Sequence, residues 1–231
     1  MIKKIIKLVV AVLLMPTVVL LVLQAGGAFI NVVKDFQVAV GLLAGAALYC
    51  VIHFGGYKFE RLYVWGHEFT HAIMAILCGF RVHSINVQKD SGNVKMDRCN
   101  ALVILAPYFI PLYAVCVGLI YVGMDLFTDA TPYRAAFVFA VGFFMAFHFV
   151  QTFQTLWETD QPDLQMAGGR IFSWVVIVLC NAAVLILVLK CLFPLKLNLA
   201  EMGRTIMTGT GHFWKAVFGY LTAWLHHTPA Q

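Results

Sequence analysis

Long apolar runs dominate the hydropathy pattern of the chain, and most of them have the length that crosses a lipid bilayer. A first run, headed by lysines, reaches about Ile30, and a second covers residues 38–54. Further runs follow at about 101–122, 133–157 and 171–193. A bilayer-spanning helix needs about 20 mostly apolar residues. Each run is therefore predicted to be a transmembrane helix, with the first retained rather than cleaved.

A shorter helix is predicted after the second run, from a charged link at 58–61 to a stop at Cys78-Gly79. It brings the predicted number of membrane helices to about six. Because this helix is short for a full crossing, we expect its polar side chains to lie nearer one membrane face than the midplane. The run at 101–122 is interrupted by Pro107 and Pro111, which are expected to bend it around a cavity.

Residues 82–97 depart from the apolar pattern and predict a small β-hairpin. Ile85 and Val87 alternate with polar neighbours, Asp90-Ser91-Gly92-Asn93 supplies turn chemistry, and alternation then resumes at Val94. The alternative is a plain solvated loop. The edge of such a hairpin is suited to pair with an extended peptide, so Ile85 and Val87 are candidate substrate-binding residues.

The tail at 197–231 mixes aromatic residues with charge, as Trp214, Lys215 and Phe218 illustrate. We interpret it as an interfacial amphipathic helix rather than another crossing. The predicted fold class is thus an all-α polytopic membrane protein with about six transmembrane helices, a small β-hairpin and a C-terminal interfacial helix.

Composition agrees with a membrane protein and excludes an ordinary soluble domain. Hydrophobic residues make up 61% of the 231 residues and charged residues only 12%. The net charge of +5 is modest and dispersed, which suits contact with anionic lipid head groups. Nothing in this charge pattern indicates a nucleic-acid partner.

The clearest chemical signal is the pattern His67-Glu68-Phe69-Thr70-His71 inside the short helix. Two histidines four positions apart lie on the same helical face, where their imidazoles can bind one metal ion. Glu68 is placed to accept a proton from a metal-activated water. An ionisable cluster among apolar residues is costly in lipid, so it indicates a functional site and predicts a metal-assisted hydrolase.

A catalytic zinc site usually has three protein ligands and one open position, so a third ligand must come from elsewhere. The candidates are His53, His148, Asp160 and Asp163. Asp163 follows Pro162, a pair that also simply starts helices. His148 belongs to a polar stripe and fits a supporting or substrate-channel role better than a ligand role. Three further histidines are predicted to be surface residues of the tail: His212, His226 and His227.

The His-Glu-x-x-His helix, the hairpin and a downstream aspartate together resemble the site-2 protease class of intramembrane zinc metalloproteases, peptidase family M50, over roughly residues 59–170. The resemblance implies one Zn2+ ion bound by His67, His71 and Asp163, with Asp160 in reserve. Gln161-Pro162-Asp163-Leu164 stands where many members carry Leu-Asp-Gly.

The same resemblance implies a zinc metalloendopeptidase that hydrolyses peptide bonds of membrane-embedded substrates, with Glu68 as the base. Pro107 and Pro111 correspond to a proline-containing span near the substrate cleft. No PDZ-type insertion is found, so we expect a minimal branch whose substrate selection rests with the membrane part or a regulatory membrane partner. The implied organisation is N-terminal helices at 1–58, a protease core at 59–170, and a last span with tail at 171–231.

Two other function classes remain open. A metal or ion transporter would use the polar stripe of the run at 133–157, around His148, as a conduit. A non-catalytic scaffold would bind membrane helices without cleaving them. The expected location is a cell membrane, the bacterial inner membrane, with the protein crossing it several times. Lysine and arginine counts favour a cytoplasmic N-terminus only weakly, whereas the resemblance places the hairpin in the cytoplasm, so both orientations stay open.

Overall fold

The computed structural model describes residues 2–88, 91–158 and 161–227, and helices make up most of these ranges. Short 3-10 turns at Ala106–Tyr108 and Thr131–Tyr133 lie between longer elements. In chain order the elements are α1 (Ile2–Val33), α2 (Phe36–Phe54), α3 (Glu60–Leu77), β1 (Val82–Val87), β2 (Gly92–Met96), α4 (Ala101–Leu105), α5 (Leu112–Phe127), α6 (Arg134–Glu158), α7 (Pro162–Ala167), α8 (Arg170–Leu192) and α9 (Leu199–His227).

Four helices in the described ranges are long and apolar enough to cross a membrane, namely α1, α2, α6 and α8. Counting α4 and α5 as one bent span makes five. The prediction of about six spans is therefore not confirmed, and the difference lies in α3. Its 18 residues include Glu60, Arg61 and Glu68, and charged side chains make a helix a poor membrane span.

The predicted bend at the proline pair is present. The segment Ala101–Tyr108 meets α5 at 84°. Pro107 lies within the 3-10 turn, and Pro111 directly precedes α5. Proline has no N–H to continue the helical ladder, so a break here leaves backbone carbonyl groups available to side chains of other helices.

Small residues bring α2 and α6 into close contact. A Cβ atom added at Gly45 would overlap the backbone of Phe139, and one added at Gly142 would overlap the backbone of Leu42. Packing at backbone distance is a common basis of helix association in membranes, where lipid is as apolar as the side chains.

The N-terminal helix packs one side against α8, where Ala11 and Val18 of α1 form a buried cluster with Val175 of α8. The last helix, α9, runs antiparallel beside α1. Its start lies at one end of α1, because Asn31 Nδ2 donates to the Lys196 carbonyl (3.0 Å). Its middle lies at the middle of α1, where Thr17 and Thr210 share a hydroxyl–hydroxyl hydrogen bond of 3.2 Å.

This arrangement does not confirm the interpretation of the tail as a helix lying in the membrane interface. If α1 crosses the bilayer, the first half of α9 lies beside it within the membrane. The physical reason is a stripe of small residues, since Gly209 contacts Leu20 closely and Thr210 supplies a polar contact. Hydropathy alone does not reveal this packing.

The hairpin predicted between residues 82 and 97 is confirmed. Strands β1 and β2 are antiparallel, with Ile85 opposite Val94 and a register irregularity near Ser84. Gly92 and Asn93, expected in the turn, belong to β2 instead, and the predicted turn residue Asp90 lies outside the described residues.

The open end of the hairpin is closed by Arg81 and Asp97. The Arg81 backbone N–H donates to Asp97 Oδ1 at 2.9 Å, and this hydrogen bond lowers the pKa of the Asp97 carboxyl. The Asp97 backbone N–H donates in turn to the Arg81 carbonyl at 3.1 Å. This pair fixes the two strand ends where the chain leaves for α4.

We expect Gly142→Ala to destabilise the protein by about 1–3 kcal/mol, because the added methyl group forces α2 and α6 apart. Gly123→Ala in α5 is the matched control, since its added Cβ would meet no atom within 4 Å. The measurement is thermal unfolding in detergent. Equal melting temperatures for the two variants would contradict the close packing of α2 and α6.

Candidate metal centre

Three side chains from two distant parts of the chain meet at one point. His67 and His71, one turn apart on α3, place their Nε2 atoms 3.2 Å from each other. Asp163 Oδ2, from the first turn of α7, lies 3.9 Å from each of these nitrogens. Within the described residues this is the one group of three or more histidine, cysteine or acidic side chains with metal-binding spacing.

A hydrogen bond on the side of the ring away from the shared point fixes the orientation of His71. Its Nδ1 lies 2.8 Å from the carbonyl oxygen of Val103, in the short helix α4. A carbonyl only accepts hydrogen bonds, so Nδ1 carries the proton and Nε2 presents a lone pair to the shared point. Histidine ligands of metals are commonly oriented by such a contact.

The spacing of the three candidate ligand atoms is compatible with a zinc ion. Two ligands bound to one zinc at about 2.0–2.2 Å in tetrahedral geometry lie roughly 3.3–3.6 Å apart. The nitrogen–nitrogen distance of 3.2 Å is close to this range, and the two nitrogen–oxygen distances of 3.9 Å are slightly longer. Two imidazoles and one carboxylate are a donor set of catalytic zinc sites and leave one position open for water.

Glu68 borders the same space as the ligating residues. Only 7% of its surface is exposed, and it lines a cavity of about 340 Å³ together with His67, His71 and Asp163. Gly92 of β2 lies directly against it, because a Cβ atom added at Gly92 would overlap Glu68 Cγ and approach its carboxylate at 2.8 Å. The glycine thus allows the hairpin backbone to reach the glutamate.

The strand that lines this cavity is β2, through Gly92, Asn93 and Val94. Successive side chains of a strand point to opposite faces. A cavity lined by three consecutive residues therefore lies along the edge of the strand rather than over one face. Ile85 and Val87 belong to β1 and do not line the cavity, so the structure does not bring these two candidate substrate-binding residues to the metal centre.

Pro107 and Pro111 lie on the other side of His67. They line a separate cavity of only about 20 Å³ that His67 and His148 also border. This volume holds about one water molecule and has no room for a peptide. The position of the prolines fits a role in bending the chain around the site, whereas their predicted contact with substrate stays a prediction.

The other candidate ligands are not brought to the centre. His148 Nε2 lies 3.2 Å from Asn181 Oδ1, and His53 Nδ1 lies 3.0 Å from the Tyr49 hydroxyl. His212 is exposed on α9. The candidates that fall outside the described positions are Asp160 and the side chains of His226 and His227.

Tyr108 is a component of the site that sequence reasoning missed. It is fully buried, and its hydroxyl donates to Asp163 Oδ2 at 2.8 Å, with Gln161 Oε1 at 3.2 Å. Its ring packs edge-on against His67, with centroids 5.4 Å apart. A tyrosine beside a proline in an apolar run has no distinctive pattern, so the sequence offered no signal for it.

The fold and site together define a helical membrane protein with a candidate metal centre. A family model described as Peptidase M50B-like matches residues 38–157, more than half of the chain. The chain therefore belongs to the Peptidase M50B-like family, as the sequence resemblance implied. The matched region contains His67, Glu68 and His71 but ends before Asp163. Comparisons with curated proteins and with solved structures gave no match.

Replacing Asp160 and Asp163 one at a time tests which aspartate is the third metal ligand. We expect Asp163→Ala to lose most bound zinc, because one of three protein ligands is removed. Asp160→Ala is the matched control and is expected to keep one zinc per chain. Elemental analysis of purified protein is the measurement. Full zinc content in Asp163→Ala with loss in Asp160→Ala would transfer the ligand role to Asp160.

Proposed function

We propose that the protein is a zinc-dependent intramembrane endopeptidase. The observation that carries this proposal is the meeting of His67, His71 and Asp163 around one point, with Glu68 on the same cavity. Family membership and the four long apolar helices support a membrane metalloprotease-type function. Neither ion transport nor scaffolding requires a glutamate beside two metal-binding histidines.

The residues of the site have separate tasks in this reaction. His67, His71 and Asp163 would hold the zinc ion, which supplies the Lewis acidity that makes water nucleophilic near neutral pH. The Glu68 carboxylate accepts a proton from the attacking water as the water oxygen bonds to the peptide carbonyl carbon. When the C–N bond breaks, Glu68 returns this proton to the leaving amine nitrogen.

The proposed substrate is a transmembrane segment of another protein. A helix must unwind before one of its peptide bonds can be cut, and unwinding frees backbone groups that have no partners in lipid. The edge of β2 beside the cavity offers such partners through strand pairing. Because Gly92 touches Glu68, a substrate strand paired here would pass next to the catalytic base.

The site belongs near one face of the membrane in this proposal. The helix α3 that carries two of the ligands is not among the candidate spans of the described chain. The adjoining hairpin is largely exposed along β1. Water and an unwound substrate can both reach a metal centre at this depth, in a multi-pass protein of a cell membrane, for which we propose the bacterial inner membrane.

The Glu68→Gln variant separates catalysis from metal binding. We expect it to keep one zinc per chain, because Glu68 is not a ligand, and to lose cleavage by at least about 100-fold, because the proton acceptor is gone. The measurement is cleavage of a panel of single-span helices in detergent or liposomes, with zinc content determined on the same samples.

Glu60→Gln, an exposed position at the start of the same helix, controls for loss of charge on α3 and should retain full cleavage. Cleavage that survives in Glu68→Gln would remove the assigned base. A transporter would be favoured instead if the wild type cleaved no substrate but conducted ions across liposome membranes, and if Glu68→Gln left that ion flux unchanged.

A further inference from the structure

We propose that Tyr108 is a positioning residue that holds the Asp163 carboxylate in its metal-binding orientation, and that Asn181 holds Tyr108 in turn. This inference rests on the proposed metal centre, but not on the peptidase reaction. It assigns a role to a series of hydrogen-bonded polar side chains that reaches the site from α6 and α8.

Tyr108 contacts two of the three ligating residues at once. Its hydroxyl donates to Asp163 Oδ2 at 2.8 Å, the same oxygen that lies 3.9 Å from the Nε2 atoms of His67 and His71. A carboxylate oxygen accepts more than one contact, so this hydrogen bond leaves a lone pair free for a cation. The aromatic ring meanwhile packs edge-on against His67. One side chain therefore sets the relative position of ligands from α3 and α7.

The backbone of Tyr108 is anchored by Asn181. Asn181 Nδ2 donates to the Tyr108 carbonyl at 2.9 Å, a carbonyl that belongs to the turn at the proline break. Asn181 Nδ2 also donates to the Ile177 carbonyl, and its Oδ1 faces His148 Nε2 at 3.2 Å. Both amide donors and the acceptor of the half-buried Asn181 side chain are thus engaged, and a satisfied hydrogen-bond network is rigid.

Tyr108 does not reach the space where a substrate would bind. It is fully buried and is not among the residues that line the 340 Å³ cavity. It contacts the ligating residues from behind, as the Val103 carbonyl does for His71. This placement makes it a positioning residue and not a catalytic one.

Tyr108→Phe is the direct test, because it keeps the ring against His67 and removes only the hydroxyl. Partners that orient metal ligands typically contribute about 10- to 100-fold in metal affinity. We expect a zinc dissociation constant weakened by about this factor, measured on full-length protein in detergent by competition with a chromogenic chelator. Tyr49→Phe is the matched control: Tyr49 is also fully buried, and its hydroxyl bonds His53 rather than a ligating residue.

If the Tyr108 hydroxyl were merely structural, Tyr108→Phe and Tyr49→Phe would both change thermal stability, and neither would change zinc affinity. A second variant, Asn181→Leu, should weaken zinc binding in the same direction as Tyr108→Phe, since it frees the Tyr108 carbonyl. Zinc affinity within about twofold of wild type in both Tyr108→Phe and Asn181→Leu would overturn the inference while leaving the proposed metal centre intact. A wild-type protein that binds no zinc would overturn both.

Discussion

The placement of half-buried candidate metal ligands and their hydrogen-bonding partners within an apolar helical bundle is the constraint on which the rest of the structure depends. A polar group removed from water is costly unless it finds a partner. The partners here are internal: the Val103 carbonyl for His71, and the Tyr108 hydroxyl for Asp163. A cation between the three ligating atoms would complete this set. The site is therefore prepared by the packing of the bundle around it.

The interruption of α4 and α5 is what brings these partners to the site. An unbroken helix through Pro107 and Pro111 would use its own carbonyl groups internally and would carry Tyr108 away from α7. The 84° bend instead leaves the Tyr108 carbonyl for Asn181 and directs the Tyr108 hydroxyl at Asp163. The close backbone approach at Gly45, against Phe139, and at Gly142, against Leu42, packs α6 against α2. A break in regular structure thus places the polar groups that surround the candidate metal centre.

Features written in local sequence could be predicted, whereas those that depend on distant packing could not. The spacing of His67 and His71 predicts a metal-binding pair, and the proline pair predicts a bend; each feature is contained within a few residues. Asp163 was selected only through a family resemblance, because nothing local shows that it reaches α3. The cavity edge formed by β2, the role of Tyr108 and the packing of α9 on α1 through Thr210 all result from tertiary contacts. Hydropathy does not encode such contacts.

The proposed function requires that two imidazoles and a carboxylate bind a single metal ion. X-ray absorption at the zinc edge of untagged, detergent-purified protein tests it most directly. We expect one zinc per chain, bound only by nitrogen and oxygen atoms and with the scattering pattern of two imidazoles. A protein that neither contains nor takes up zinc would contradict it. So would a sulfur ligand, because Cys99 also lines the cavity and lies outside the predicted set.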